Sequence, residues 1–238
     1  MILTYWRFTK SPLYSFLFTI PLFFIYEIGV FLTKADDMLV LRNGADALMR
    51  QILENFGIIG LHGIGAVFLI VFLAVFFMQR KYWRGITIYG NFLLIMMFES
   101  LIWAIILYLL MSNIYILLMN PSSQVLIQQV TLSVGAGIYE ELFFRVLLIS
   151  GLASILGFVF QWPYNYKMWV AMIISSGIFS AFHFIGEYSD YFSFDIFLIR
   201  FFAGMALGYL YFIRGFGITA WAHSIYDLIV LTQTTTQN

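Results

Sequence analysis

Cysteine is absent from the 238 residues, and charge is scarce: 12 Lys and Arg against 12 Asp and Glu, 10% of the chain in all, with a formal net charge of zero. The first absence removes disulfides, thiolate metal ligands and a cysteine nucleophile. The second removes the basic face that nucleic-acid binding needs. Proline occurs only four times, and no repeat, linker or low-complexity stretch interrupts the chain apart from a short polar tail, Thr232–Asn238. Apolar residues fill the space that charge vacates. They make up 62% of the chain, with 20% aromatic and a mean hydropathy of +0.92, too apolar for a soluble domain of this length. A helix crosses a bilayer with about 20 mostly apolar residues. The chain therefore reads as all-α, a polytopic membrane protein of seven to eight transmembrane helices forming a single domain over 1–238.

Hydropathy predicts spans at Leu13–Leu32, Ile58–Met78, Ile86–Met111, Val125–Ser150, Met168–Ile185, Ile196–Ile213 and Ile218–Leu231. The stretch Leu152–Phe160 can prolong the fourth helix, lie at the interface or form a short eighth crossing; an interfacial or short helix is the preferred reading. Ala45–Phe56 sets Ala45, Leu48, Met49, Ile52 and Phe56 on one helical face, the pattern of an amphipathic surface helix. In a seven-span arrangement Arg7, Lys10, Arg80, Lys81, Arg84, Lys167 and Arg214 collect on the N-terminal side, against Lys34, Arg42 and Arg50 opposite. That bias predicts a cytoplasmic N-terminus. No small-residue cleavage site follows Leu13–Leu32, which reads as a retained first helix rather than a removed signal peptide.

Against this apolar background the charges inside the spans stand out. A charged side chain at helix centre costs about 2.5–3.5 kcal/mol on insertion scales, so it normally faces a bundle interior or an aqueous cavity. Glu140, Glu141 and Arg145 lie together in the fourth span. Glu141 and Arg145 are four apart in the favourable order for an ion pair, which would keep one carboxylate ionised and oriented. Glu140 is turned about 100° away and is left for proton transfer. Two further pairs, Phe179/His183 and His223/Asp227, each place both members on one helical face. Asp227 accepting from one nitrogen of His223 would fix the tautomer and leave the other for a water, a carbonyl oxygen or a metal. The inventory is hydrolytic. Glu140 can take a proton from water, His183 can help position that water, and His223 with Asp227 can stabilise an oxyanion. A His-Glu-x-x-His zinc motif, a Gly-x-Ser-x-Gly elbow and a Gly-x-Gly-Asp motif are all missing.

Three ordered motifs, Glu-Glu-x-x-x-Arg at Glu140, Glu141 and Arg145, Phe-x-x-x-His at Phe179 and His183, and His-x-x-x-Asp at His223 and Asp227, span about residues 125–232. In them the chain resembles the CAAX-protease and bacteriocin-processing (CPBP, or Abi) intramembrane endopeptidases, which include the Rce1 CAAX endopeptidase. The resemblance implies a helical membrane fold around a water-accessible cavity and cleavage of peptides near the membrane surface. It also implies Glu140 as the water-activating carboxylate, with His183 beside it and His223 and Asp227 near the oxyanion. Asp227 stands where CAAX-cleaving members often have Asn, which turns the reading toward the bacterial branch, and the resemblance implies a bacterial cell (inner) membrane. The expected partners are a membrane-anchored or lipidated polypeptide and the lipid bilayer, with no nucleic acid. No cofactor is expected, although two Glu, two His and one Asp satisfy the ligand chemistry of Zn²⁺ and spacing does not decide the matter. The reading of a different class is a non-enzymatic membrane protein, either a proton-coupled transporter or an immunity or scaffolding protein that keeps the motifs.

Other intramembrane polar residues read as packing. Glu27 or Glu99 is expected to partner Arg200 or to support the site from behind, His62 to be structural or interfacial, and Gly204 and Gly208 to permit close helix approach. Helix parity places His183 and His223 at opposite depths, a tension that only tilted or short helices relieve.

Overall fold

The computed structural model describes residues 2–32, 86–112, 126–185 and 191–235, with short pieces between 69 and 82. The described residues form helices and no strand: α1 (Ile2–Thr9), α2 (Pro12–Leu32), α3 (Gly90–Ser112), α4 (Leu126–Gly135), a π-helical stretch π1 (Ala136–Ile149), α5 (Ser150–Phe160), α6 (Tyr164–Phe182), α7 (Phe194–Arg214) and α8 (Phe216–Thr235), besides a 3-10 turn at Arg80–Tyr82. The amphipathic stretch Ala45–Phe56, His62 and most of the span expected at Ile58–Met78 lie outside the described residues.

Local chemistry sets the helix ends. Pro12 opens α2, where its missing N–H costs nothing, and the Ser11 hydroxyl caps it by accepting from the Tyr14 N–H at 3.3 Å. At Gln161 the backbone is left-handed (φ 52°), which stops α5, and Pro163 then precedes α6. Between α7 and α8 there is a single residue, Gly215, with φ 81° and ψ 178°. Only glycine occupies that region without strain.

Among the described residues four stretches are long and apolar enough to cross a membrane: Pro12–Leu32, Gly90–Met111, Ile127–Phe160 and Phe194–Arg214, with Phe216–Leu231 a shorter apolar helix. This is a multi-pass membrane protein. Leu152–Phe160, for which an interfacial or short helix is the preferred expectation, takes the other placement open to it and prolongs the fourth. Gly135, Ile149 and Ser150 all keep right-handed helical backbone, so α4, π1 and α5 run on without a break. Nothing in the local sequence stops a helix there; the stop comes at Gln161. The 34 residues of Ile127–Phe160 would extend about 50 Å if straight, well beyond a hydrocarbon core of about 30 Å. The helix must tilt or protrude.

At the centre of the bundle is α8, which packs against α2, α3, α4, π1 and α7. Its inner face is small and hydroxylated: Thr219, Ala220, Ala222 and Ser224 are buried. Small side chains let the backbones approach, which is the main source of helix affinity in lipid. Phe24, Ile28, Leu94, Phe98 and Ile102 point outward instead, as a bilayer-facing surface requires.

A buried polar knot joins three of the helices. Arg214, at the end of α7, donates from Nε to Glu99 of α3, and from Nη2 to Glu99 at 2.7 Å and to the Thr9 hydroxyl at 2.9 Å. Tyr5 donates to Glu99 at 2.5 Å, and the Trp6 ring lies 4.1 Å from the Arg214 guanidinium carbon. Glu99, one of the two acids expected to partner Arg200 or to support the site from behind, is thus held by Arg214. The single-residue hinge at Gly215 and the turn of α1 bring Arg214 to it, and 115 residues of sequence separation hide the pairing from a reading of the sequence.

Candidate active site

The site is built on π1. Such i→i+5 winding usually appears as single-turn bulges at functional sites; here it runs for 14 residues. It carries Glu140, Glu141 and Arg145, which are 2%, 0% and 1% exposed. π1 approaches α8 because residue 137 is glycine: a Cβ there would sit 2.5 Å from the Ala220 carbonyl oxygen and against the Ser224 hydroxyl. From the other side the Ser175 hydroxyl of α6 donates to the Phe144 carbonyl at 2.8 Å. π1 is thereby clamped between α6 and α8.

Glu141 uses both carboxylate oxygens. Oε2 lies 3.0 Å from Arg145 Nε and Oε1 lies 2.8 Å from His223 Nδ1. The Nε2 of the same imidazole is 3.5 Å from Asp227 Oδ2, and the Asp227 side chain is 27% exposed. Arg145, Glu141, His223 and Asp227 therefore form one chain, buried at the arginine end and open at the aspartate end. The sequence points to Asp227 as the residue that orients His223, with the second nitrogen left open. In the structure Glu141 makes the short contact, because π1 and α8 pack closely, while the Asp227 contact sits at the limit of a hydrogen bond. Glu140 is buried beside this chain and within electrostatic reach of Arg145, His223 and Asp227.

The Phe-x-x-x-His pair reaches the cluster through its aromatic member. Phe179 is buried, and its ring lies 4.6 Å from the guanidinium carbon of Arg145, a cation–π seat for a charge in an apolar wall. The Arg145–Glu141 contact is not aligned as a hydrogen bond, and Nη1 and Nη2 of Arg145 find no acceptor among the described residues. His183 terminates α6, with Nδ1 2.9 Å from the Phe179 carbonyl and its ring edge-on to Phe179 at 5.0 Å. So His183, expected at a different depth from His223, stands one aromatic ring from Arg145. Arg200 stacks over Phe184 at 5.3 Å, the residue after His183. Sequence reasoning does not find the Glu141–His223 link or the Phe179 seat. The glycine at 137 is a signal that could have found the first.

Among the described residues no group of three or more His, Asp or Glu is disposed to hold a metal ion. Glu141, the most central acid, already spends its two oxygens on Arg145 and His223.

No curated protein and no solved structure matches the chain. A family model does: that of the type II CAAX prenyl endopeptidase Rce1-like proteins, over residues 121–229. The match begins just before α4 and ends within α8, so it takes in π1, α6, α7 and every residue of the three motifs. Through this segment the chain is similar to the Rce1-like type II CAAX prenyl endopeptidases.

Proposed function

We propose that the protein hydrolyses a peptide bond of a membrane-associated or lipid-anchored polypeptide, using a water activated by Glu140. The observation that carries this reading is the Arg145–Glu141–His223 chain, which holds one carboxylate and one imidazole rigid beside a second buried carboxylate. Glu140 removes a proton from water as the water oxygen bonds to the scissile carbonyl carbon. His223, its Nδ1 engaged by Glu141, turns Nε2 to the developing oxyanion; the 3.5 Å contact to Asp227 yields readily to a closer acceptor. When the tetrahedral intermediate collapses, the C–N bond breaks and Glu140 hands its proton to the leaving amine. His183 borders the same wall and positions the water, while Phe179 and Arg145 keep Glu141 in place. Family likeness points to a prenylated or otherwise lipid-anchored C-terminus as substrate. The gathering of Arg7, Lys10, Lys167 and Arg214 where α2, α6 and α8 begin and α7 ends supports a cytoplasmic N-terminus, in a bacterial cell membrane.

The test compares peptide termini by mass spectrometry in membranes holding wild type or Glu140→Gln at equal abundance. Termini near membrane anchors should vanish in the variant while uncut precursors accumulate. Identical profiles would discard the reading, and proton-coupled flux into proteoliposomes lost in the same variant would replace it with a transporter.

A further inference from the structure

Where α2 and α8 begin and α7 ends, the bundle holds a cavity of about 970 Å³, at the upper end of the range for small-molecule sites. Its charged lining is of one sign. Arg7, Lys10 and Lys167 border it with the hydroxyls of Ser15, Ser154 and Tyr164, and no Asp or Glu lines it among the described residues. Burial, and then the neighbouring Arg214, hold the Lys10 amine below the ordinary lysine range. Gathering cations without an acid is unfavourable unless an anion completes the site.

The cavity adjoins a second space. A groove of about 340 Å³ shares Phe16, Leu142 and Phe216 with it and is otherwise lined by Ile20, Phe23 and Ile138 among other, chiefly apolar side chains. A cationic chamber beside an apolar slot complements an anionic amphiphile. None of Glu140, Glu141, Arg145, His183, His223 or Asp227 lines either space.

We propose that this is a binding site for an anionic membrane phospholipid, with its phosphate among Arg7, Lys10 and Lys167 and an acyl chain in the groove between α2 and π1. Basic pockets between transmembrane helices take such headgroups. The chain would rest on Ile138 and Leu142, on the same π1 helix as Glu140 and Glu141, so that occupancy steadies the helix that carries them. The proposal goes beyond the peptidase reading and does not depend on it.

The experiment reads lipid binding rather than cleavage. Wild type and Lys10→Gln/Lys167→Gln are reconstituted in phosphatidylcholine nanodiscs with graded phosphatidylglycerol, and retained phosphatidylglycerol is counted by native mass spectrometry alongside Tm. Wild type should retain phosphatidylglycerol and gain Tm with it. The variant should need about 30-fold more, since each lysine near a headgroup contributes about fivefold. Ile20→Trp, which fills the groove and leaves the cations, should weaken lipid retention too, and it carries the test if the double variant does not fold. Retention unchanged in both variants, or absent in the wild type, overturns the proposal. A Tm gain from inorganic phosphate alone equal to that from phosphatidylglycerol would assign the chamber to free phosphate and overturn it as well.

Discussion

Gly137→Ala should uncouple the candidate site without touching any of its charged residues. The added Cβ would lie 2.5 Å from the Ala220 carbonyl oxygen, where ordinary contact begins at 3.4 Å. The obstacle is backbone, which cannot rotate aside, so π1 and α8 must part by about 0.9 Å, the difference between those two distances. The same displacement carried to the Glu141–His223 contact of 2.8 Å takes it past hydrogen-bonding range. Overpacking of this kind costs about 1–3 kcal/mol, and a misplacement of about 1 Å in a catalytic constellation costs about 100-fold in rate. Thermal unfolding in detergent or nanodiscs reads the first effect, and cleavage of a precursor identified by the terminus comparison reads the second. Ser224→Ala removes one neighbour of the new methyl but leaves the carbonyl, so Gly137→Ala/Ser224→Ala should stay defective while Ser224→Ala alone stays active. A Gly137→Ala protein with wild-type Tm and rate would refute the claim that close π1–α8 packing aligns the site.

The other predictions concern buried charge and backbone. Glu141→Gln should destabilise by about 3–5 kcal/mol, because it leaves Arg145 charged in an apolar wall; unfolding free energies check it. Glu99→Ala should cost a similar about 3–5 kcal/mol by stranding Arg214, and Glu99→Ala/Arg214→Met should recover much of the loss, a coupling read from a double-mutant cycle. Phe179→Leu removes the ring against Arg145 at about 0.5–2 kcal/mol, seen as a lower Tm. Gly215→Ala forces a non-glycine residue to φ 81°, with a loss of order 1–3 kcal/mol in the same measurement.

Membrane class and the three motifs are legible in the amino-acid sequence because both are local properties. Hydropathy is a sum over neighbouring residues, and composition by itself points to a membrane protein. Glu141/Arg145 and His223/Asp227 each sit four apart on a helix, and a helix carries residues so spaced onto one face. The Arg145 contact is therefore foreseeable from spacing. The end of the fourth helix is less legible, because an apolar stretch such as Leu152–Phe160 suits several placements and the break rests on one left-handed residue, Gln161.

What only the tertiary structure decides are relations between helices. Whether Nδ1 of His223 meets Glu141 or Asp227 depends on how closely and in what rotation π1 packs on α8, and a missing methyl at Gly137 governs that distance. That Glu99 serves Arg214 depends on where α7 ends against α3, across 115 residues. The cationic chamber and its apolar groove likewise draw on residues scattered from Arg7 to Phe216. Spacing along one helix fixes a face, whereas the partner that face meets is set by crossing angle and close packing, which no single segment encodes.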